Sequence, residues 1–389
     1  MFFLSAVIFL ANILGALAAL SCAILFWQWL AAQRFPLHQK NSDKNFSPGI
    51  SILKPLKGCD ATTRESLQSW LGQKYAGPVE ILFGVASEDD PAAEIVRQLI
   101  VENPITNAQL VICQNLAGAN AKAAKLVQLE KLARHDLILT CDADVRVPSD
   151  FLTNFVPPLR DEKIALVNCF YRLANSTTNA MRWEAIAVNA DFWSQVLQSQ
   201  TLKPLDFALG AALLVRRNAL AQIGGFAAFA DHLADDYQLG RRLVRNGQSV
   251  ALSPIVVDCW GAPMNWQQVW KHQLRWARTI RVCQPLPYFF SILANASLWP
   301  LLWLFVSFKS AMTICVPLVA IIFLLVRILL AQSLQRRFTP ERILVSPAWL
   351  VPVKDLLAAA VWLTAFAGNT VEWRGTKMKL RRDGTLEKI

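Results

Sequence analysis

The sequence predicts an α/β fold with a mostly parallel sheet, carried between transmembrane helices at both ends of the chain. Three observations lead there. Residues 2–32, FFLSAVIFLANILGALAALSCAILFWQWLAA, contain no charge and exceed the ~20 residues needed to cross a bilayer. From residue 50 onward, short apolar runs alternate with helix-like stretches, the pattern of βαβ units with right-handed crossovers. Apolar residues then crowd again over 284–331, broken only by Lys309 and Arg327.

The first segment is too long for a signal-peptide core and has neither a basic n-region nor a cleavage site, so it reads as a retained anchor. ISILKPL (50–56) reads as the first strand. Asp60 then opens a helix, with Thr62 and Glu65 spaced as a capping box. VEILFGVA (79–86) is the second strand. DDPAAEIVRQLIVEN (89–103) is a helix with Pro91 in its first turn. AQLVICQN (108–115) and NAKAAKLVQLEKLAR (120–134) repeat the alternation. Leu137, Ile138 and Leu139 then begin a buried strand, because short continuous apolar runs suit sheets covered on both faces. Strands are also expected at 164–173 and 207–217, flanking the aromatic-rich helix 181–197. A helix from near Leu233 to its C-cap Gly247 and another over 265–283, N-capped by Asn265, complete the soluble part. The stretch 345–368 is interrupted by Lys354 and Asp355, and its uninterrupted LLAAAVWLTAFAG is short for a crossing. It is expected to lie re-entrant or in the interface, after two C-terminal spans. The expected partition is an anchor (1–32), a soluble α/β domain (33–283), a C-terminal membrane region (284–368) and a basic tail (369–389).

The 39 basic and 28 acidic residues give a net charge of +11. Many positives border apolar segments: Arg34, Lys40 and Lys44; Arg336, Arg337 and Arg342; Arg374, Lys377, Lys379, Arg381 and Arg382. The positive-inside rule places the soluble domain and the tail in the cytosol, with anionic lipid heads of the bilayer as the partner for this charge. No basic-aromatic module appears, so no nucleic-acid partner is expected. The eight cysteines form no C-x-x-C pair, which argues against zinc and disulfide frameworks. No dinucleotide fingerprint or P-loop is present.

Chemistry-bearing residues gather at element ends. Asp142 and Asp144 follow the strand of Leu137, and ligands bind beyond the carboxyl ends of strands in open α/β sheets. In an extended segment, residues i and i+2 point to one side, and two such carboxylates suit a hard divalent cation with its phosphate ligands. Asp90 precedes Pro91, an N-cap position. Asp235 and Asp236 fall in the first turn of their helix, where the dipole favours negative charge. His272, Arg275 and Trp276, at i, i+3 and i+4, share one helix face. Lys122 opens the helix over 120–134, where it is either solvated or a point charge for phosphates.

Taken in order, the N-terminal span, DDPA, CDADVRV, GGF…ADHLADDY, HQLRWART and the closing VEWRGTKMKL resemble the inverting nucleotide-sugar glycosyltransferases of the GT-A fold. More narrowly, they resemble the ceramide glucosyltransferase family and its bacterial relatives, over nearly the whole chain. The resemblance implies that Asp90 contacts the nucleoside, that Asp142 and Asp144 serve the nucleotide and a Mg²⁺ or Mn²⁺ ion, with Asp144 as metal ligand, and that Asp236 is the base. The family's terminal motif, Gln/Arg-x-x-Arg-Trp, is matched by Arg275 and Trp276, with His272 departing at its first position. Eukaryotic members commonly lack the second aspartate of the metal motif; its presence as Asp144 places this chain nearer the general metal-dependent pattern. The resemblance further implies a UDP-sugar donor, a membrane-lipid hydroxyl as acceptor and a bacterial inner-membrane location. Glucose transfer to ceramide leads, and N-acetylglucosamine transfer to a hopanoid is the alternative. Asp235 is expected to be a helix-terminus charge only, with Asp231 or His232 next in line should Asp236 not be the base.

Three rival classes fit less well. DADV matches the opening string of haloacid-dehalogenase-like phosphatases, but their later G-D-x-x-x-D is missing. A processive polysaccharide synthase needs more spans to form a channel. A transporter or membrane scaffold would not carry so large a cytosolic α/β domain.

Overall fold

The computed structural model describes residues 2–41, 45–309, 315–339, 345–373 and 375–389. Three of the border cations, Lys44, Arg342 and Arg374, lie outside them. In chain order the elements are α1 (Phe2–Arg34), β1 (Ile50–Pro55), α2 (Thr63–Leu71), β2 (Val79–Val85), α3 (Pro91–Glu102), β3 (Asn107–Ile112), α4 (Ala121–Leu132), β4 (Leu137–Cys141), β5 (Val145–Arg146), α5 (Phe151–Phe155), β6 (Ile164–Leu173) and α6 (Asn179–Ile186). There follow α7 (Trp193–Leu202), β7 (Ala212–Arg216), α8 (Arg217–Gln222), α9 (Asp235–Arg245), β8 (Ser249–Cys259), α10 (Trp266–Cys283), α11 (Pro285–Phe290), α12 (Leu298–Lys309), α13 (Cys315–Phe338), α14 (Leu350–Phe366), β9 (Thr370–Trp373), β10 (Thr376–Leu380) and β11 (Leu386–Lys388).

The chain forms two compact units, each assembled from separated stretches. The α/β unit comprises Pro36–Asn175, Lys203–Ala262 and Thr376–Ile389. Its eight-stranded sheet has the order β3-β2-β1-β4-β7-β6-β8-β5. Strands β1, β2, β3 and β4 pair in parallel, as the alternating pattern requires. β7 then enters antiparallel between β4 and β6, while β6 and β8 are again parallel. The sheet is therefore mostly parallel, with its antiparallel pairs in the half where the sequence alternation loosens. A core of Leu53, Leu82, Leu126, Leu129, Ile138, Leu213, Val215 and Leu243 fixes α4 and α9 to the sheet. The long strand β8 has no counterpart in the sequence reading. Its SVALSPIVVDC carries Pro254 and shows no regular burial alternation, so its pattern is that of neither a buried nor a half-buried strand.

The membrane unit comprises Met1–Phe35, Ser176–Leu202 and Pro263–Gly375. Among the described residues, α1 and α13 are long and apolar enough to cross a bilayer, and a third span arises if the pair Pro285–Ala294 and Leu298–Ser307, bent by 48°, counts as one. The 17 residues of α14 fall short of the ~20 that a crossing needs. The helices 179–202 and 266–283, read from sequence within the soluble domain, pack in this unit. Strands β10 and β11 of the tail belong to the α/β unit instead.

Two local expectations are corrected. Thr62 sits at the N-cap of α2 without a capping side-chain bond; the Asp60 carboxylate instead accepts from Thr62 N at 2.8 Å and Thr62 Oγ1 at 2.7 Å. Glu65 is not part of a capping box: it pairs with Arg146 at 2.6 Å. Aspartate outcompetes threonine here because its short carboxylate turns back on its own chain. Asp142 and Asp144 lie in the turn between β4 and β5, so the extended alternation invoked for them does not apply.

Candidate active site

The α/β unit gathers its charged groups at the C-terminal end of β4. Asn120 caps α4 by accepting from Lys122 N at 3.0 Å and Ala123 N at 3.1 Å, which fixes Lys122 in the first helical turn. From there the Lys122 ammonium reaches Asp142 Oδ1 at 2.8 Å and Asp235 Oδ2 at 3.2 Å. Burial would push this lysine down, but the charges of Asp142, Asp235 and Asp236 outweigh it and hold the lysine well above its ordinary range.

Asp236, in the first turn of α9, accepts from Gly210 N through Oδ2 and from Tyr237 N through Oδ1, both at 2.7 Å. Burial, and then the adjacent Asp235 charge, push its pKa up to about 6, against the opposing pull of Lys122. A Cβ at Gly210 would stand 2.9 Å from the Asp236 carboxylate, so only glycine brings backbone so close to this oxygen. The same economy recurs one turn along α9. A Cβ at Gly240 would lie 2.1 Å from Ala208 N and 2.5 Å from Phe207 C. Gly240→Ala is therefore expected to destabilise the protein by about 1–3 kcal/mol, pushing away the loop that presents Gly210. Thermal denaturation measures this, and an unchanged Tm would refute the close approach.

The loop before α9 is fastened to the loop before α4. Asp231 Oδ1 accepts from Ala119 N at 2.8 Å, and Asn120 Nδ2 donates to His232 O at 2.7 Å. The tail locks the same loop: Leu386 N donates to Asp231 O at 2.7 Å, and His232 bridges to Thr385. Asp231 and His232, the reserve candidates for the base, thus tie together the two segments that carry Lys122 and Asp236. Asp235 is also more than a helix-terminus charge, since it is one of the two carboxylates that hold Lys122.

Asp90 caps α3, accepting from Ala92 N at 3.0 Å, and its carboxylate also takes Gly58 N at 2.9 Å. It fixes the loop after β1 at the edge of the same strand end. Asp144 is exposed, and its carbonyl accepts from Trp260 N at 3.0 Å. Among the described residues no three His, Cys, Asp or Glu side chains group as metal ligands. The donor set is one exposed carboxylate, Asp144, beside Asp142, which is already engaged with Lys122. That set fits a hard divalent cation arriving with a diphosphate, because Mg²⁺ binds through one or two carboxylates, substrate phosphates and waters.

Lys54 was not foreseen from sequence. It is fully buried at the end of β1, where its ammonium donates to Asp142 O at 3.0 Å and Cys141 Sγ at 3.1 Å and lies 4.6 Å from the Trp70 ring centre. Its signal in the sequence is a lysine inside a mainly apolar strand, ISILKP. A buried ammonium is tolerated only where it is paired, and here it fixes the backbone of the aspartate turn.

His272, Arg275 and Trp276 belong to the membrane unit. His272 Nδ1 lies 2.5 Å from Oε1 of Glu184, a buried carboxylate on α6 that also accepts from Gln273 Nε2 at 2.8 Å. The His272 and Trp276 rings are 4.9 Å apart. The Arg275 guanidinium stands 5.8 Å from the Trp373 ring of β9. The shared face predicted for these three residues is thus present, and Glu184, missed from sequence, anchors its first position.

Comparison with known proteins agrees with this architecture. The family model described as Glycosyl transferase family 21 matches residues 13–386. Ceramide glucosyltransferase 3 of Caenorhabditis elegans is 28% identical over 227 residues, covering 58% of this chain and 49% of that protein. A beta-monoglucosyldiacylglycerol synthase of Trichormus variabilis is 26% identical over 210 residues, covering 54% of this chain and 44% of that protein. The chain therefore spans about half the length of the curated relatives it matches. Among solved structures, the mannosyltransferase PcManGT from Pyrobaculum calidifontis, in complex with GDP-Man and Mn²⁺, superposes with a TM-score of 0.54 at 19% identity, covering 92% of this chain and 99% of that one. That likeness establishes the GT-A-like fold.

Proposed function

The chain belongs to glycosyl transferase family 21, and from that premise we propose that it is a membrane-bound inverting glycosyltransferase moving a sugar from a UDP-sugar to the hydroxyl of a membrane lipid. The observation that carries this reading is Asp236. It is a carboxylate raised to about 6, held by backbone N–H groups beside the cationic Lys122. A general base works best when its pKa lies near the operating pH.

In this mechanism Asp90 and the loop it fixes receive the nucleoside. Lys122 faces the diphosphate, and Asp144 would hold a divalent cation. A Mg²⁺ or Mn²⁺ ion held there would supply positive charge for the diphosphate of the leaving UDP. Asp236 accepts the proton of the lipid hydroxyl as its oxygen bonds to the anomeric carbon and the bond from that carbon to phosphate breaks. One displacement turns an α-linked donor into a β-linked product. Arg275 and Trp276 serve the acceptor.

Glucose as the sugar and ceramide as the acceptor are the leading reading, supported by the similarity to the Caenorhabditis elegans ceramide glucosyltransferase. Diacylglycerol is the second reading, favoured by the beta-monoglucosyldiacylglycerol synthase similarity. The deciding experiment incubates the protein in membranes with labelled UDP-sugars and a panel of lipid acceptors, with mass analysis of products. A glycolipid with inverted anomeric configuration, formed with UDP, is the expected result. Orthophosphate release, or no transfer from any donor, would overturn the proposal.

The positive-inside rule supports a cytosolic α/β unit, because the basic residues Arg34 and Lys40 follow the uncharged stretch 2–32. In sealed vesicles with the cytosolic face outward, protease is expected to cut within residues 36–175. Full protection of that stretch would reverse the orientation.

A further inference from the structure

The membrane unit buries a second set of charged groups that the transfer reaction does not use. Arg327 lies near the middle of α13, 12 residues from Cys315 and 11 from Phe338, or roughly 17 Å from either end at the rise of a helix. Its Nε donates to Asp355 Oδ2 at 2.8 Å. Its Nη2 donates to Asp355 Oδ1 at 2.8 Å and to Asp191 Oδ2 at 2.9 Å. Lys354 pairs with the same two carboxylates, and Ser297 Oγ donates to Asp355 Oδ2 at 2.5 Å. Asp191 sits in the π-helical turn 187–192 between α6 and α7, a local widening frequently found at functional sites. These groups explain why Arg327 interrupts the apolar stretch 284–331 and Lys354 and Asp355 the stretch 345–368.

The set has two properties that point to a ligand. Two cations and two carboxylates cancel, so the site carries no net charge to favour a phosphate or an ammonium. One donor is left over: Nη1 of Arg327 is buried and has no acceptor among the described residues, in a side chain only 3% exposed. Arg327, Asp191, Lys354 and Asp355 line a half-open cavity of about 140 Å³ whose other walls are polar at Gln28 and Gln195 and apolar at Leu25, Ala359 and Trp362. That volume holds roughly four or five waters' worth of matter at about 30 Å³ each, far less than a sugar nucleotide. A buried donor with no acceptor, set between polar walls and an apolar one, matches a small head that carries an acceptor oxygen and continues into hydrocarbon. Ionisable groups are retained at such depth where they line a pathway or bind something.

The geometry points to a binding site for the uncharged, hydroxyl- or amide-bearing head of a membrane lipid, with Arg327 Nη1 donating to its oxygen. The inference rests on the lipid-acceptor reading only for which lipid fills the site. The same head chemistry is offered by an acceptor lipid and by a neutral lipid that stays bound as a cofactor of the fold.

The test uses the full chain in phosphatidylcholine nanodiscs doped with ceramide carrying a photoactivatable diazirine beside its head. A matching phosphatidylcholine probe runs in parallel, and adducts are mapped by peptide mass. Adducts from the ceramide probe are expected within residues 291–297 and 354–362. Ala359→Phe, which fills the cavity from a partly exposed wall and leaves the four charges paired, is expected to lower the yield at least about tenfold, the equivalent of one lost contact. Arg327 is left unchanged, because removing it strands two carboxylates and endangers the fold. Equal labelling by both probes, no labelling at these residues, or undiminished labelling of Ala359→Phe would overturn the site. Added UDP-glucose separates the two sources: a hexose appearing on the adduct marks an acceptor, and an unchanged adduct marks a resident lipid, either of which supports the site. Sugar transfer is followed in the same nanodiscs. Lost labelling with transfer intact sinks this site alone, whereas labelling without transfer from any donor sinks only the proposed activity.

Discussion

Asp236→Asn is expected to lower turnover by about 10²–10⁴-fold while UDP-sugar binding stays near normal, because the proton moves only in the transition state. Asparagine keeps the size of the side chain but presents an NH₂ to one of the two backbone N–H groups that the carboxylate now accepts, from Gly210 and Tyr237. A stability loss of about 1–3 kcal/mol accompanies that change and is read separately by denaturation. Asp235→Asn is the internal comparison. It loosens Lys122, which Asp142 still holds, so its loss of rate should be clearly the smaller of the two. The reverse ranking would move the base to Asp235. The pH profile gives a second readout. With a pKa of about 6, wild-type kcat/KM should fall as pH drops below that value, and the residual activity of Asp236→Asn should lack this limb. Stability runs the other way. A folded-state pKa raised above the usual aspartate value means the folded chain holds the proton more tightly. That contribution is fully present below pH about 4 and is lost as pH rises through about 6, so the Tm of wild type relative to Asp236→Asn should decline between those values.

Asp144→Ala is expected to lower turnover at least about 10²-fold, the equivalent of several kcal/mol of lost charge stabilisation, and to leave the remaining activity indifferent to Mg²⁺ or Mn²⁺. Asp144 is exposed, and alanine retains the backbone carbonyl that accepts from Trp260 N; thermal denaturation of the variant separates any change in stability from the loss of turnover. Chelator titration of both proteins checks the metal dependence. Full wild-type activity in excess chelator would remove the metal from the mechanism.

Local chemistry determined much of this protein from sequence. The uncharged stretch 2–32, the parallel run from β1 to β4, the Pro91 start of α3 and the Asn265 cap of α10 each follow from neighbours within a few residues. So do the positions of Lys122, Asp142, Asp235 and Asp236 at element ends, because strand ends and helix starts are set locally. Tertiary structure decided which of these groups meet. Asp142 and Asp235 are 93 residues apart, and both reach Lys122 only because α4 and α9 share one core against the sheet. Asp231 and His232 became fasteners, and Asp235 a lysine ligand, through contacts from α4 and from the tail that no local spacing encodes. Lys54 and Glu184 go unread in the sequence, since a buried charge is legible only once its partner is placed. The same holds in the membrane unit. Arg327, Lys354 and Asp355 read as flaws in hydrophobic stretches until the fold brings Asp191, more than a hundred residues earlier, to complete the set. Burial in a low dielectric makes an unpaired charge prohibitive, so the sequence could announce that partners exist, while only long-range packing could say which they are.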